Sequence, residues 1–134
     1  MEKDAYRRTN TTVSLLNYHF VFCPRYRRKI FDVLGVDEYF KKLVEEVCGQ
    51  HDLQILAMEC DHDHVHLFVS APPTTAPYEI MKWIKGATSR KIRMQFSALN
   101  SMSALWTRSY FVSTAGKVSS ATIRHYVETQ KTRP

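Results

Sequence analysis

The chain has 134 residues, 44% of them apolar, and carries 19 Lys and Arg against 13 Asp and Glu, a net charge of +6. That length matches one domain of roughly 100–200 residues, and only 4 Gly and 5 Pro exclude a low-complexity or disordered chain. No run approaches the roughly 18 apolar residues that would span a bilayer, and the polar opening residues lack the apolar stretch of a secretory signal.

In chain order, residues 1–12 are polar and expected to be loose. Ser14–Cys23 (SLLNYHFVFC) predicts a strand. Pro24 closes it, and the basic loop Arg25-Tyr26-Arg27-Arg28-Lys29 follows. Phe40, Leu43, Val44, Val47 and Cys48 recur at helical spacing between Asp37 and Gln50, with Gly49 as the expected end. Leu53–Cys60 and His64–Ser70 predict two more strands, joined through Asp61-His62-Asp63 as a hairpin. The three prolines of Ala71–Pro77 dictate a loop. A second helix over Tyr78–Phe96 sets Ile80, Trp83, Ile84, Ala87 and Met94 on one arc and Lys82, Lys85, Arg90 and Arg93 on the other. Tyr110–Ser113 predicts a short strand, Thr114–Val118 a joint, and Ser119–Lys131 a terminal helix capped by Ser119 or Ser120. This βαββαβ succession is α+β and ferredoxin-like: an antiparallel sheet with helices on one face, plus an additional C-terminal helix. Three cysteines (Cys23, Cys48, Cys60) without CxxC spacing are expected as buried thiols in a reducing cytoplasm.

Two patterns carry chemistry. Alternation in a strand points His64, His66, Phe68 and Ser70 to one face and Val65, Leu67 and Val69 to the other. Two imidazoles at i and i+2 can share a metal ion, and the apolar partners put them on the sheet's open face. In the terminal helix, Tyr126 and Gln130 are four apart and stack on one side, with Ile123 and Val127 as the docking stripe. The Gln carbonyl would complete a two-histidine site, and such mixed N/O ligation suits Mn²⁺ or Mg²⁺ better than structural zinc.

Together these residues resemble a known family. His64-Val65-His66 matches the HUH motif and Tyr126-Val127-Glu128-Thr129-Gln130 the Tyr-x-x-x-Gln motif of the single-tyrosine HUH transposases of the smallest insertion sequences, the TnpA type. The likeness extends to Cys23–Lys29, to Asp63, and to Leu105–Thr114, covering the chain from about Leu16 to Gln130. The resemblance implies one HUH transposase domain over residues 1–134, with a mobile tyrosine helix at 119–131. Tyr126 would be the nucleophile, and His64, His66 and Gln130 would hold Mg²⁺ or Mn²⁺. Cleavage of single-stranded DNA at end hairpins would leave a 5′-phosphotyrosine and need no nucleotide cofactor. It also implies a homodimer, with the tyrosine helix reaching the partner's histidines, and no membrane association.

For a general base the residues leave several groups open. His125 points away from Tyr126 on the helix, whereas Asp61, His62 and Asp63 lie nearer the metal end and are candidates to orient an imidazole. Arg25, Tyr26, Arg27, Arg28 and Lys29, with Lys82, Lys85, Arg90 and Arg93, are expected to meet DNA, because cations neutralise phosphates and aromatics stack on unpaired bases. One rival is a non-catalytic single-stranded nucleic-acid module on the same sheet, but His64 and His66 stand where its stacking aromatics would be. Other rivals are a metal-dependent phosphoesterase, which leaves the tyrosine motif unexplained, and a related HUH nicking enzyme, which is usually longer.

Overall fold

The computed structural model describes residues 6–115. A two-residue pair, β1 (Arg7–Arg8) with β2 (Val13–Ser14), precedes the main sheet. The main sheet is formed by β3 (Leu16–Phe22), β4 (Gln54–Asp61), β5 (His64–Ala71) and β6 (Phe111–Thr114). Helix α1 (Val36–Gln50) lies between β3 and β4, and α2 (Pro77–Gln95) between β5 and β6. The strand order β4-β5-β3-β6 is antiparallel throughout, the ferredoxin-like arrangement expected from the βαββαβ succession. The expected terminal helix and most of the joint before it lie outside the described residues.

One face of the sheet carries the core. Phe20 and Phe22 of β3 and Val65, Leu67 and Val69 of β5 are almost fully buried against Phe40 and Val44 of α1 and Ile80 and Ile84 of α2. Both helices therefore occupy the same side, and the histidine face of β5 looks away from them. Helix α2 begins with Pro77 in its first turn, and Glu79 accepts a hydrogen bond from the Ala76 N–H at 3.0 Å. Among the described residues, no helix is long and apolar enough to cross a membrane.

Three expectations are corrected. The N-terminal stretch is not loose from residue 7 onward: Thr9 and Thr12 close the β1–β2 hairpin, and Arg7 donates to the carbonyls of Asp52 and Ser70. Helix α1 runs past Gly49, and the chain turns instead at Asp52, which takes a left-handed backbone (φ 56°). On α2 the buried arc is Ile80, Met81, Ile84, Thr88 and Ile92, whereas Met94 is exposed. The amphipathic face thus drifts along the helix, away from a single straight stripe.

Candidate active site

The site is built on β5. His64 is half-buried and His66 buried, their rings 5.1 Å apart and nearly perpendicular. Each has its Nδ1 engaged: His64 with Asp63 Oδ1 at 3.1 Å, His66 with Nε2 of His19 at 3.2 Å. For His64, whose Nδ1 meets a carboxylate acceptor, the lone pair then lies on Nε2; for His66 it depends on which imidazole donates. Burial, and then the neighbouring His64, lower the pKa of His66 and favour the neutral ring that donates a lone pair. Asp61 places Oδ2 3.9 Å from Nε2 of His64. Among the described residues no three His, Cys, Asp or Glu side chains group closely enough to hold a metal ion. His64 and His66 by themselves offer two imidazole nitrogens, donors of the type a divalent cation accepts.

The expectation that the histidines lie on an open face is corrected at its centre. His66, Phe68 and Ser70 are all buried, as are Asn17 and His19 beside them on β3. Register groups them: His19 sits opposite Phe68 and Val21 opposite His66, so side chains of both strands share this patch. His19 stacks on Phe68 with ring centroids 4.2 Å apart and planes 4° from parallel, and it meets the edge of Phe111 at 5.9 Å. Burial, and then the charge of His66, push the pKa of His19 down to about 4.

The basic loop is fixed against this hairpin. Pro24 bridges to Trp106, Arg25 N–H donates to Leu105 O at 2.9 Å, and Phe31 N–H donates to His62 O at 3.3 Å. Arg27 then forks onto Asp63, with Nε and Nη2 donating to its two oxygens at 3.1 and 3.2 Å. Burial works against the charged form of Asp63, yet hydrogen bonds from Arg27 and His64 hold its carboxyl below the usual range. His62 bonds to Asp32, whose carboxylate raises the imidazole pKa. Asp63 and Asp61 thus adjoin His64, while His62 faces Asp32 on the outer side. Tyr26 and Arg27 both take left-handed backbones (φ 60° and 52°), and the Tyr26 ring is 84% exposed with the Arg25 guanidinium 5.6 Å from its centre. Arg25 is half-buried, whereas Arg28 and Lys29 are exposed.

The cations of α2 are not brought to the histidine face, since α2 packs on the opposite side of the sheet. Lys82 and Arg90 are exposed there. Lys85 instead donates to the carbonyls of Thr107 and Ser109, both at 2.9 Å, and Arg93 to those of Ser89 and Met102. Those two side chains fasten the chain after α2 to the helix. Tyr126 and Gln130 lie outside the described residues.

Sequence reasoning overlooked His19 and Glu59. His19 shares the alternating phase of Asn17 and Val21, and Glu59 that of Asp61; the register sets Glu59 opposite His66. The alternation was available in each strand, but only the pairing shows which strands are neighbours.

Comparison with known proteins follows the same lines. The family profile described as "Transposase IS200 like" matches residues 12–130. The ISDra2 transposase TnpA of Deinococcus radiodurans is 32% identical over 118 residues, covering 86% of this chain and 84% of that one. The transposase for insertion sequence element IS200 of Salmonella typhimurium is 32% identical over 122 residues, covering 84% of this chain and 75% of that one. A crystal structure of a candidate transposase from Deinococcus radiodurans R1 superposes with a TM-score of 0.74 at 29% identity, covering 92% of this chain and 97% of that one. A tyrosine transposase solved bound to a REP hairpin shares the fold, with a TM-score of 0.57 at 17% identity, covering 94% of this chain and 69% of that one.

Proposed function

The chain belongs to the IS200-like transposase family, and from that premise we propose that it cuts and rejoins single-stranded DNA at insertion-sequence ends through a phosphotyrosine on Tyr126. The observation that carries this reading is the paired His64 and His66, each with Nδ1 engaged, beside a basic loop tied to the same hairpin. His64, His66 and Gln130 would hold Mg²⁺ or Mn²⁺. Bound there, the cation would offset the charge that builds on the oxygens of the scissile phosphate.

In the proposed reaction the phenol of Tyr126, with an unperturbed pKa of about 10, gives up its proton and its oxygen bonds to phosphorus. The bond from phosphorus to the 3′ oxygen breaks, its electron pair stays on that oxygen, and protonation leaves a 3′-OH. The DNA 5′ phosphate stays on the enzyme as an ester, which conserves the bond for rejoining and needs no nucleotide cofactor. Attack by another 3′-OH reverses the bookkeeping and releases Tyr126. The proposed assembly is a homodimer in which the tyrosine of one subunit serves the histidines of the other. Hairpin recognition at the element ends is proposed by analogy with the relative solved on a REP hairpin.

The test is incubation with single-stranded oligonucleotides carrying candidate end hairpins, with Mg²⁺ or Mn²⁺, followed by denaturing electrophoresis. A covalent protein–DNA band is expected, and EDTA should abolish it. Binding with no covalent product on any such strand would instead favour a non-catalytic module.

Arg25, Tyr26, Arg28 and Lys29 form the proposed strand contact nearest the histidines, with Arg27 holding Asp63; Lys82 and Arg90 would serve DNA passing behind the sheet. Tyr26 offers a direct check, because its ring is exposed while its backbone is strained. Tyr26→Gly should raise folding stability by about 0.5 kcal/mol, relief of the left-handed backbone outweighing glycine's entropy. The same change should weaken single-stranded DNA binding about 10-fold, through loss of base stacking worth roughly 1–3 kcal/mol. Urea denaturation and fluorescence anisotropy would read the two effects separately.

A further inference from the structure

We propose that His19 is a positioning residue: its Nε2 accepts a hydrogen bond from Nδ1–H of His66, fixing the tautomer in which His66 presents Nε2 to the metal. The inference rests on the metal role proposed above for His64 and His66.

The two histidines are held by different kinds of partner. His64 Nδ1 faces a carboxylate oxygen of Asp63 at 3.1 Å. An ionised carboxylate only accepts, so the proton must sit on Nδ1 and the lone pair on Nε2. His66 Nδ1 faces another imidazole, Nε2 of His19, at 3.2 Å. Here either ring can donate, and the two choices have opposite results. If His19 donates, the proton of neutral His66 is on Nε2 and the ring has no lone pair to give through that atom. If His66 donates, Nε2 becomes the ligand nitrogen, matching His64. Two ligands that both bind through Nε2 require the second arrangement.

The surroundings of His19 suit an acceptor held at one angle. It is buried, and its ring lies flat on Phe68, two residues after His66 on the same face. Phe111 of β6 closes one side with its edge toward the ring. The ring also lies within 21° of the plane of His66, at 5.4 Å between centroids. Set among His66 and Phe68 of β5 and Phe111 of β6, His19 has little freedom to turn its Nε2 away. Arg27–Asp63 steadies His64 from the hairpin tip, and His19 does the same for His66 from the sheet interior. A partner on the second nitrogen of a ligating histidine orients the ring and raises its basicity, and removing it commonly weakens metal binding about 10–100-fold.

Two measurements test this on the full chain. In metal-free protein labelled with ¹⁵N histidine, long-range proton–nitrogen NMR spectra should show His66 protonated on Nδ1 and His19 unprotonated on Nε2. A His66 protonated on Nε2 would overturn the proposal. Titration with Mn²⁺ followed by electron paramagnetic resonance should then show His19→Phe, which keeps the stack on Phe68, binding about 10–100-fold more weakly than wild type. His19→Gln, whose side-chain carbonyl can accept the same hydrogen bond, should recover most of that loss. A His19→Phe protein with wild-type Mn²⁺ affinity would also overturn the assignment. Absence of Mn²⁺ binding by the wild type would overturn the metal reading, and the role of His19 with it.

Discussion

Tyr126→Phe is expected to lower single-strand cleavage by on the order of 10⁴-fold or more and to erase the covalent protein–DNA band, since it removes the attacking oxygen. Affinity for the uncut strand should stay within about twofold, because binding is assigned to the basic loop and the phenol has no part in it. That separation distinguishes loss of the nucleophile from misfolding. Mixing Tyr126→Phe with His64→Ala protein should restore partial cleavage if each site takes its tyrosine and histidines from different subunits. Cleavage by Tyr126→Phe alone at the wild-type rate would remove Tyr126 from the reaction.

The largest effect on folding is expected at Trp106. It is buried against Phe22, Phe31 and Phe40, with ring centroids 5.1–6.4 Å away, and its Nε1–H donates to Thr88 Oγ1 at 2.9 Å. Trp106→Ala should cost about 3–5 kcal/mol, combining lost burial with a cavity beside Phe22, Phe31 and Phe40. Trp106→Phe keeps most of the packing and loses mainly the hydrogen bond, so about 1–2 kcal/mol is expected. Urea unfolding curves measure both. Because typical domains have only about 5–15 kcal/mol of stability, that loss is a large fraction of the total.

The order of elements was legible because it depends on local periodicity. The alternation of His64–Ser70 foretold that Val65, Leu67 and Val69 would be buried, and all three are fully so. What local pattern omits is partnership between distant segments. Nothing near Arg27 says that it meets Asp63, and nothing near His19 says that it lies beside His66; both facts come from the antiparallel pairing of β3 with β5. Charge was the least transparent property. Lys85 and Arg93 look like surface cations on a helical wheel, yet long aliphatic stems let them reach backbone carbonyls after the helix. The β1–β2 pair escaped notice because two-residue strands of Arg, Val and Ser have no apolar alternation to detect.

The anchoring of Ala115 has a kinetic meaning. Its N–H donates to Asn17 O at 2.7 Å and its side chain packs with Phe68, so the polypeptide leaves the sheet within the histidine patch. Ten residues lie between Ala115 and Tyr126, and a fully extended span of those eleven steps reaches at most about 40 Å. Chain length alone is thus a leash long enough for the phenol to reach its own subunit's histidines. Distance alone does not force a tyrosine to serve a neighbour. An enzyme that works strictly in trans must restrain this leash by folding, and its turnover per molecule must fall once dilution separates the subunits.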